Sequence, residues 1–235
     1  MERFGPSHLA ALAVTAGAAA LLVALVRGRS AGDPGLRRAR RGLALAMLVS
    51  EVGLLAAVYA LDGVRPAFNL PLHLTHWAWL MCVIALWSAR TWAFELAWFW
   101  AGAAVTQAMV TPSLSHDFPD VRYWQFMAVH APVLAGVVFL AFGCGLTPRA
   151  GAVWRAWFAG WGVFAVAATA SLVTGGNYMF AREPPFEGSL LDLMGPWPWY
   201  LGAAALVAPA LFWLLDLPFR GRRNRAVERP ALTPR

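Results

Sequence analysis

YWQFMAVHAPVLAGVVFLAFGCGL, residues 123–146, runs for 24 positions without an Asp, Glu, Lys or Arg. A bilayer core about 30 Å thick needs about 20 apolar residues of helix to cross it, and this stretch has them with one histidine inside. Similar stretches lie on both sides of it, at roughly 8–26, 42–61, 70–89, 93–112, 156–174 and 197–217. The whole chain is 235 residues, 60% hydrophobic and 13% charged, with a mean hydropathy of +0.56. A soluble domain of that length has too little interior for so much apolar surface. The pattern therefore predicts an all-α polytopic membrane protein, a bundle of about seven transmembrane helices over residues 1–219, followed by a basic tail at 220–235.

The connections are short and rich in Arg, Pro, Gly and Asp, and no internal repeat is visible. The net charge of +7 comes from Arg alone, since Lys is absent. These arginines sit in loops and in the tail, which is the pattern of membrane orientation and excludes nucleic acid as the expected partner. Arg27, Arg29, Arg37, Arg38, Arg40 and Arg41 follow the first span, Arg220, Arg222, Arg223, Arg225, Arg229 and Arg235 follow the last, and Arg90, Arg149 and Arg155 share their side. Arg3, Arg65, Arg122 and Arg182 fall on the other side, a division of 15 to 4. The positive-inside rule then sets the N-terminus outside and the C-terminus in the cytoplasm. Arg and Ala in place of Lys suggest a bacterial cytoplasmic (inner) membrane. The first run, His8–Val26, is followed rather than preceded by basic residues and is expected to be retained. Cys82 and Cys144 make no disulfide framework, and Cys82 reads as a small core residue.

Polar side chains in hydrocarbon need a reason. Here they are Glu51, His73, Thr75, His76, Glu95, Gln107 and His130, with Asn177 and Asp192 near the outer boundary. Ordinary reasons exist for each. Glu95 can pair with Arg90, a membrane threonine commonly bonds back to its own helix, and a lone His or Gln ties helices together. Glu51, near midplane, is either protonated or paired with a His or Arg. Counting about 1.5 Å per residue from the expected outer ends puts Thr75, His76, Gln107 and His130 between about 8 and 10 Å deep. Three helices thus place polar groups in one layer, beneath the long loop Gly175–Pro196. Within it Ser189 and Asp192 read as a capping pair, and Trp197, Trp199 and Tyr200 as interfacial anchors.

NLPLHLT at Asn69–Thr75, the His130 span, and GNYMF with SLLDLMGPWPWY resemble the YwaF-like bacterial integral membrane proteins. That family is related to an animal multispanning protein implicated in acyl transfer onto ether phospholipids. The resemblance covers residues 40 to 217 and implies a membrane-embedded acyl-transfer centre. Its catalytic pair falls on Thr75 and His130, with threonine standing where the animal relatives have cysteine. A more distant group of membrane hydrolases, acting on branched fatty-acid esters, is similar in using a threonine nucleophile and a histidine. His73, His76, Gln107, Asn177, Asp192 and Glu51 would support substrate. The expected partners are membrane lipids and a lipid ester, with no cofactor and no metal. Three other classes compete: a transporter using the same polar residues as a path, a haem or metal protein ligated through His76 and His130, and a non-catalytic receptor or chaperone that binds a ligand or membrane partner through the same cluster.

Overall fold

The computed structural model describes residues 1–30, 32–185 and 189–227, with side chains as far as Asn224. Arg229 and Arg235 of the expected basic tail lie outside the described residues. Seven long helices and no strand make up the described chain. They are α1 (Pro6–Val26), α2 (Pro34–Asp62), α3 (Leu74–Ser88), α4 (Thr91–Trp100, carried on by a π turn at Ala101–Val105 and by Thr106–Val110), α5 (Val121–Val138, ending in a π turn at Phe139–Gly143), α6 (Ala152–Thr174) and α7 (Trp199–Val227). Five of them, α1, α2, α5, α6 and α7, are long and apolar enough to cross a membrane on length and composition alone.

Two boundaries differ from the sequence expectation. Helix α2 begins at Pro34, because Asp33 caps it by accepting from the amides of Gly35 and Leu36. Arg37, Arg38, Arg40 and Arg41 therefore sit on its first turns rather than in a loop. Helix α3 begins at Leu74 instead of Leu70, since the chain turns at Pro71, where the Leu72 amide meets the Leu70 carbonyl at 2.8 Å. Its 15 residues span only about 22 Å, short of the hydrocarbon thickness. The missing length falls to non-helical backbone at 63–73, where residues 63–66, 68 and 71 are exposed and the others half-buried.

Helix α5 is the central element, 61% buried over its apolar window against 6% for α1. It packs on α1, α2 and α3, while α3 also pairs with α4, and α6 packs on α4 and α7. Helices α3 and α5 run in the same direction, and their register is fixed by small residues. Cys82 Sγ lies 3.9 Å from the Val133 carbonyl, and a Cβ on Gly136 would come within 2.8 Å of that sulfur. Gly136→Ala is expected to destabilise the fold by about 1–3 kcal/mol through overpacking. Cys82→Ala in the same chain removes the colliding atom and should restore most of the loss in a thermal-unfolding assay. Additive losses in the double variant would contradict this register.

Proline inside α7 is accommodated by tryptophan. Pro209 cannot donate to the carbonyl four residues back, that of Ala205, and Trp157 Nε1 of α6 does so instead at 3.0 Å. Trp98 Nε1 reaches Leu215 O at 3.0 Å near Pro218, and Trp100 Nε1 reaches Ala156 O at 3.1 Å. At the Arg-rich end, arginines close helix C-termini. Arg40 donates to Leu86 O at the end of α3, and Arg222 to Ala141 O at the end of α5. Glu95 does not pair with Arg90. Its carboxylate accepts from Arg149 and Arg155, because the chain after α5 folds back beneath α4.

Candidate functional site

The opposite end of the bundle is built by two loops that the sequence keeps far apart. Asn69 closes the first, accepting from the Arg65 amide and donating to the Gly63 carbonyl, both at 2.8 Å. Tyr178 enters it from the second loop. Its hydroxyl donates to Pro66 O at 2.6 Å and accepts from the Leu70 amide at 3.1 Å, while its own amide donates to Ser171 Oγ at 2.8 Å. Gly176 must be glycine, since a Cβ there would stand 2.5 Å from the Ala67 carbonyl oxygen. The segments NLPLHLT and GNYMF thus interlock as one cap over the helices.

Beneath this cap lie the three histidines. The α3–α5 register decides their level. Seven residues before Cys82 on the same helix face is Thr75, and seven before Val133 is Phe126, so Thr75 stands alongside the turn Phe126–His130. His130 is eight residues, about 12 Å, below Arg122, whose guanidinium pairs with Asp62 at the end of α2. The rings of His73 and His76 are 6.3 Å apart.

Backbone contacts fix the proton positions. His130 Nδ1 is 2.6 Å from the Phe126 carbonyl, an acceptor only, so Nδ1 carries the proton and Nε2 keeps the lone pair. Phe126 stacks on the same ring at 4.0 Å and holds its plane. His73 is the reverse case, since its Nδ1 accepts from the Met179 amide at 3.3 Å. His76 Nδ1 is buried with no partner among the described residues. Glu51, 5% exposed, is held at one oxygen by Gln125 Nε2 at 3.2 Å, and its other oxygen is buried and unpartnered. Its neighbour is an amide and not a His or Arg, so of the two readings of the sequence the charged pair is absent and the protonated carboxyl is left.

Most hydroxyls of the bundle bond to their own helix, and Thr75 and Thr169 have no hydrogen bond among the described residues. Thr15, Ser88, Thr111, Ser171 and Thr174 all donate to the carbonyl four residues back. Thr75 is the second residue of α3, so the residue four back, Pro71, is not helical and offers no such carbonyl.

The remaining sequence candidates have other positions. Asn177 closes its own loop, accepting from Arg182 and Glu183 amides and donating to the Glu183 carbonyl, so its amide is not directed at the histidines. Asp192 accepts from the Ser189 amide while Ser189 Oγ caps the same 3₁₀ turn, the reciprocal box read from the sequence. Gln107 lies one turn from the end of α4, and no hydrogen bond among the described residues joins its side chain to the histidines. His8 is a polar contact that sequence reading passed over. Fully buried, it accepts from the Phe4 amide at Nδ1 and reaches Met109 O through Nε2 at 2.7 Å, fastening α1 to α4.

An apolar groove of about 190 Å³ opens between α6 and α7, walled by Trp157, Trp161, Leu201 and Ala204. Leu74 and Met179 also line it. Leu74 separates His73 from Thr75, and Met179 donates its amide to His73. Leu74 and Met179 thus bring the lining of the groove next to His73, while His73, Thr75, His76 and His130 are not themselves part of that lining. Among the described residues, no three His, Cys, Asp or Glu side chains gather as a metal ion would require.

A bundle of apolar helices with a layer of polar side chains under interlocked loops defines a multi-pass helical membrane protein. The chain belongs to the TMEM164 family, whose model it matches over residues 3–216. No curated protein and no solved structure matches it.

Proposed function

We propose that this protein is a lipid acyltransferase or ester hydrolase, working through Thr75 as nucleophile and His130 as general base. The observation that carries this reading is a threonine hydroxyl without its usual back-bond, on the helix face that packs along the turn holding a free imidazole nitrogen. A hydroxyl is a weak nucleophile until a positioned base takes its proton. In the proposed reaction Thr75 Oγ attacks the ester carbonyl carbon as its proton passes to His130 Nε2. The tetrahedral intermediate collapses, the bond to the alcohol oxygen breaks, and that oxygen leaves with the proton from His130. Water or an acceptor hydroxyl then repeats the sequence on the acyl-threonine and frees the enzyme.

The groove between α6 and α7 supports a lipid substrate. At about 190 Å³ it is smaller than a typical ligand pocket, which suits a stretch of one acyl chain entering sideways from the bilayer. The Arg distribution supports an N-out, C-in arrangement in a bacterial cytoplasmic membrane, with this centre toward the outer leaflet and its substrate drawn from membrane lipids. A polar transport path fits less well, since Cys82, Leu86, Val133, Val137 and Leu140 fill the buried region below the histidines with apolar atoms.

The test uses the full-length protein in detergent micelles and a fluorophosphonate probe for serine and threonine hydrolases. Labelling is expected on Thr75 and is expected to vanish in Thr75→Ala. Ala204→Trp, which fills the groove, should lower turnover of long-chain esters by about 10-fold or more while sparing short-chain ones. Probe attachment elsewhere, or full ester turnover by Thr75→Ala, would end this reading.

A further inference from the structure

His73 lies beside the proposed reacting pair, yet it has no part in the proton transfer described so far. It is the N-cap residue of α3, in extended conformation, directly before Leu74, which lines the groove between α6 and α7. Its imidazole is held on several sides. The rings of Tyr178 and Phe180 lie 5.6 and 5.5 Å from it, and the His76 ring lies 6.3 Å away. The Met179 amide points at Nδ1.

That amide is presented by unusual backbone. Met179 and Phe180, neither of them glycine, both adopt left-handed conformations, with φ of 53° and 56°. Side chains seldom accept this geometry, and two in succession persist only where the surroundings impose it. Here the surroundings do so from both ends. Tyr178 is anchored through its amide to Ser171 and through its hydroxyl to Pro66 and Leu70. Phe180 O accepts from the Tyr200 hydroxyl, and Ala181 O from Trp197 Nε1 at 3.0 Å. The anchors come from GNYMF, NLPLHLT and PWPWY together. Their joint product is one N–H aimed at one imidazole nitrogen.

The chemical consequence follows from valence. A nitrogen that accepts an N–H hydrogen bond carries no proton, so the neutral ring keeps its proton on Nε2. His73 is then a donor at Nε2 and cannot act as a base there. His130 is the opposite tautomer, with its base at Nε2. Two neighbouring histidines are thus fixed by backbone contacts into complementary roles.

We infer that His73 is the hydrogen-bond donor to the carbonyl oxygen of the bound ester, stabilising the oxyanion as Thr75 attacks. This rests on the acyl-transfer reading and assigns the group that reading lacks, since the Asn177 amide is committed to its own loop. An ester whose chain fills the groove brings its carbonyl to Leu74 and Met179, the residues on either side of the imidazole. A fixed donor in a site shielded from water strengthens as the oxygen gains charge, which lowers the barrier without tightening ground-state binding.

Two measurements test it. In the wild-type protein carrying ¹⁵N-histidine, NMR in micelles should report His73 protonated at Nε2 and His130 protonated at Nδ1. A His73 signal from the Nδ1-protonated form overturns the assignment. In kinetics, His73→Leu should lose about 100-fold in kcat with KM changed less than about threefold. His73→Gln places an amide N–H near the same point and should recover at least 10-fold of that loss. Equal losses in the two variants, or none in either, overturn the donor role. If Thr75→Ala and His130→Ala keep full turnover, the acyl-transfer reading itself fails, whatever position 73 does.

Discussion

Replacing His130 with alanine is expected to lower lipid-ester turnover by about 10²- to 10⁴-fold and to abolish probe labelling of Thr75. The expectation follows from where the proton must go. Nδ1 is occupied by the Phe126 carbonyl at 2.6 Å, so only Nε2 can accept the threonine proton. No other histidine can substitute. His73 has its Nδ1 filled by the Met179 amide, and His76 comes from the same helix as Thr75, turned about 100° from it. His130→Asn separates base from scaffold, because its amide can still donate toward Phe126 O while offering no comparable base. It should fold like the wild type and turn over ester no faster than the alanine variant. An asparagine variant with near-normal turnover would show that the imidazole is structural. Thermal unfolding of both variants, run alongside, separates lost chemistry from lost packing against the Phe126 ring.

The seven helices were legible because lipid leaves the backbone few choices. Apolar runs of about 20 residues must satisfy their amides internally, so length and composition alone define them. The start of α3 was less visible. Leu70 and Leu72 extend the apolar run, and only Pro71 and Asn69 signal that the chain is still turning there. That turn matters most for the proposed chemistry, since it leaves Thr75 without a helical carbonyl four residues back. Counting depth from Leu70 placed Thr75 level with His130, whereas the register at Cys82 and Val133 sets Thr75 beside Phe126, at the other end of the turn that carries His130. The roles of Asn177 and Met179 were not legible. One depends on a loop closing on itself and the other on a main-chain amide, which side-chain patterns do not report. The π turns at Ala101–Val105 and Phe139–Gly143 likewise carry no residue signature. His8 reads as the first polar residue of a span, and nothing in its neighbourhood announces Met109, 101 positions away.

Removing both Arg149 and Arg155 is expected to cost about 3 kcal/mol, a fall of about 10 °C in Tm, while Glu95→Gln costs clearly less. The asymmetry comes from burial. Glu95 is 1% exposed, whereas the arginine side chains are 55% and 44% exposed. Stripping the arginines leaves a carboxylate inside the protein with only the Arg149 amide, at 2.8 Å, to answer it. Stripping the carboxylate leaves two guanidiniums that water can solvate, and a glutamine oxygen still accepts from that amide. Arg90, nearer in sequence, is exposed and makes no pair with Glu95, so Arg90→Ala should leave Tm unchanged. The three variants together distinguish the folded-back loop from simple adjacency along the chain. A large loss in Arg90→Ala with little in the double variant would invert the assignment. The cluster ties α4 to α6 at the Arg-rich end, the opposite end of the bundle from His130. Below its lowered Tm the double variant should therefore turn over ester within about twofold of the wild type, as expected for sites with no shared partners. A deeper loss would mean that anchoring α6 at its first turn also sets the groove between α6 and α7, making the ion cluster a positioning element for the acyl chain.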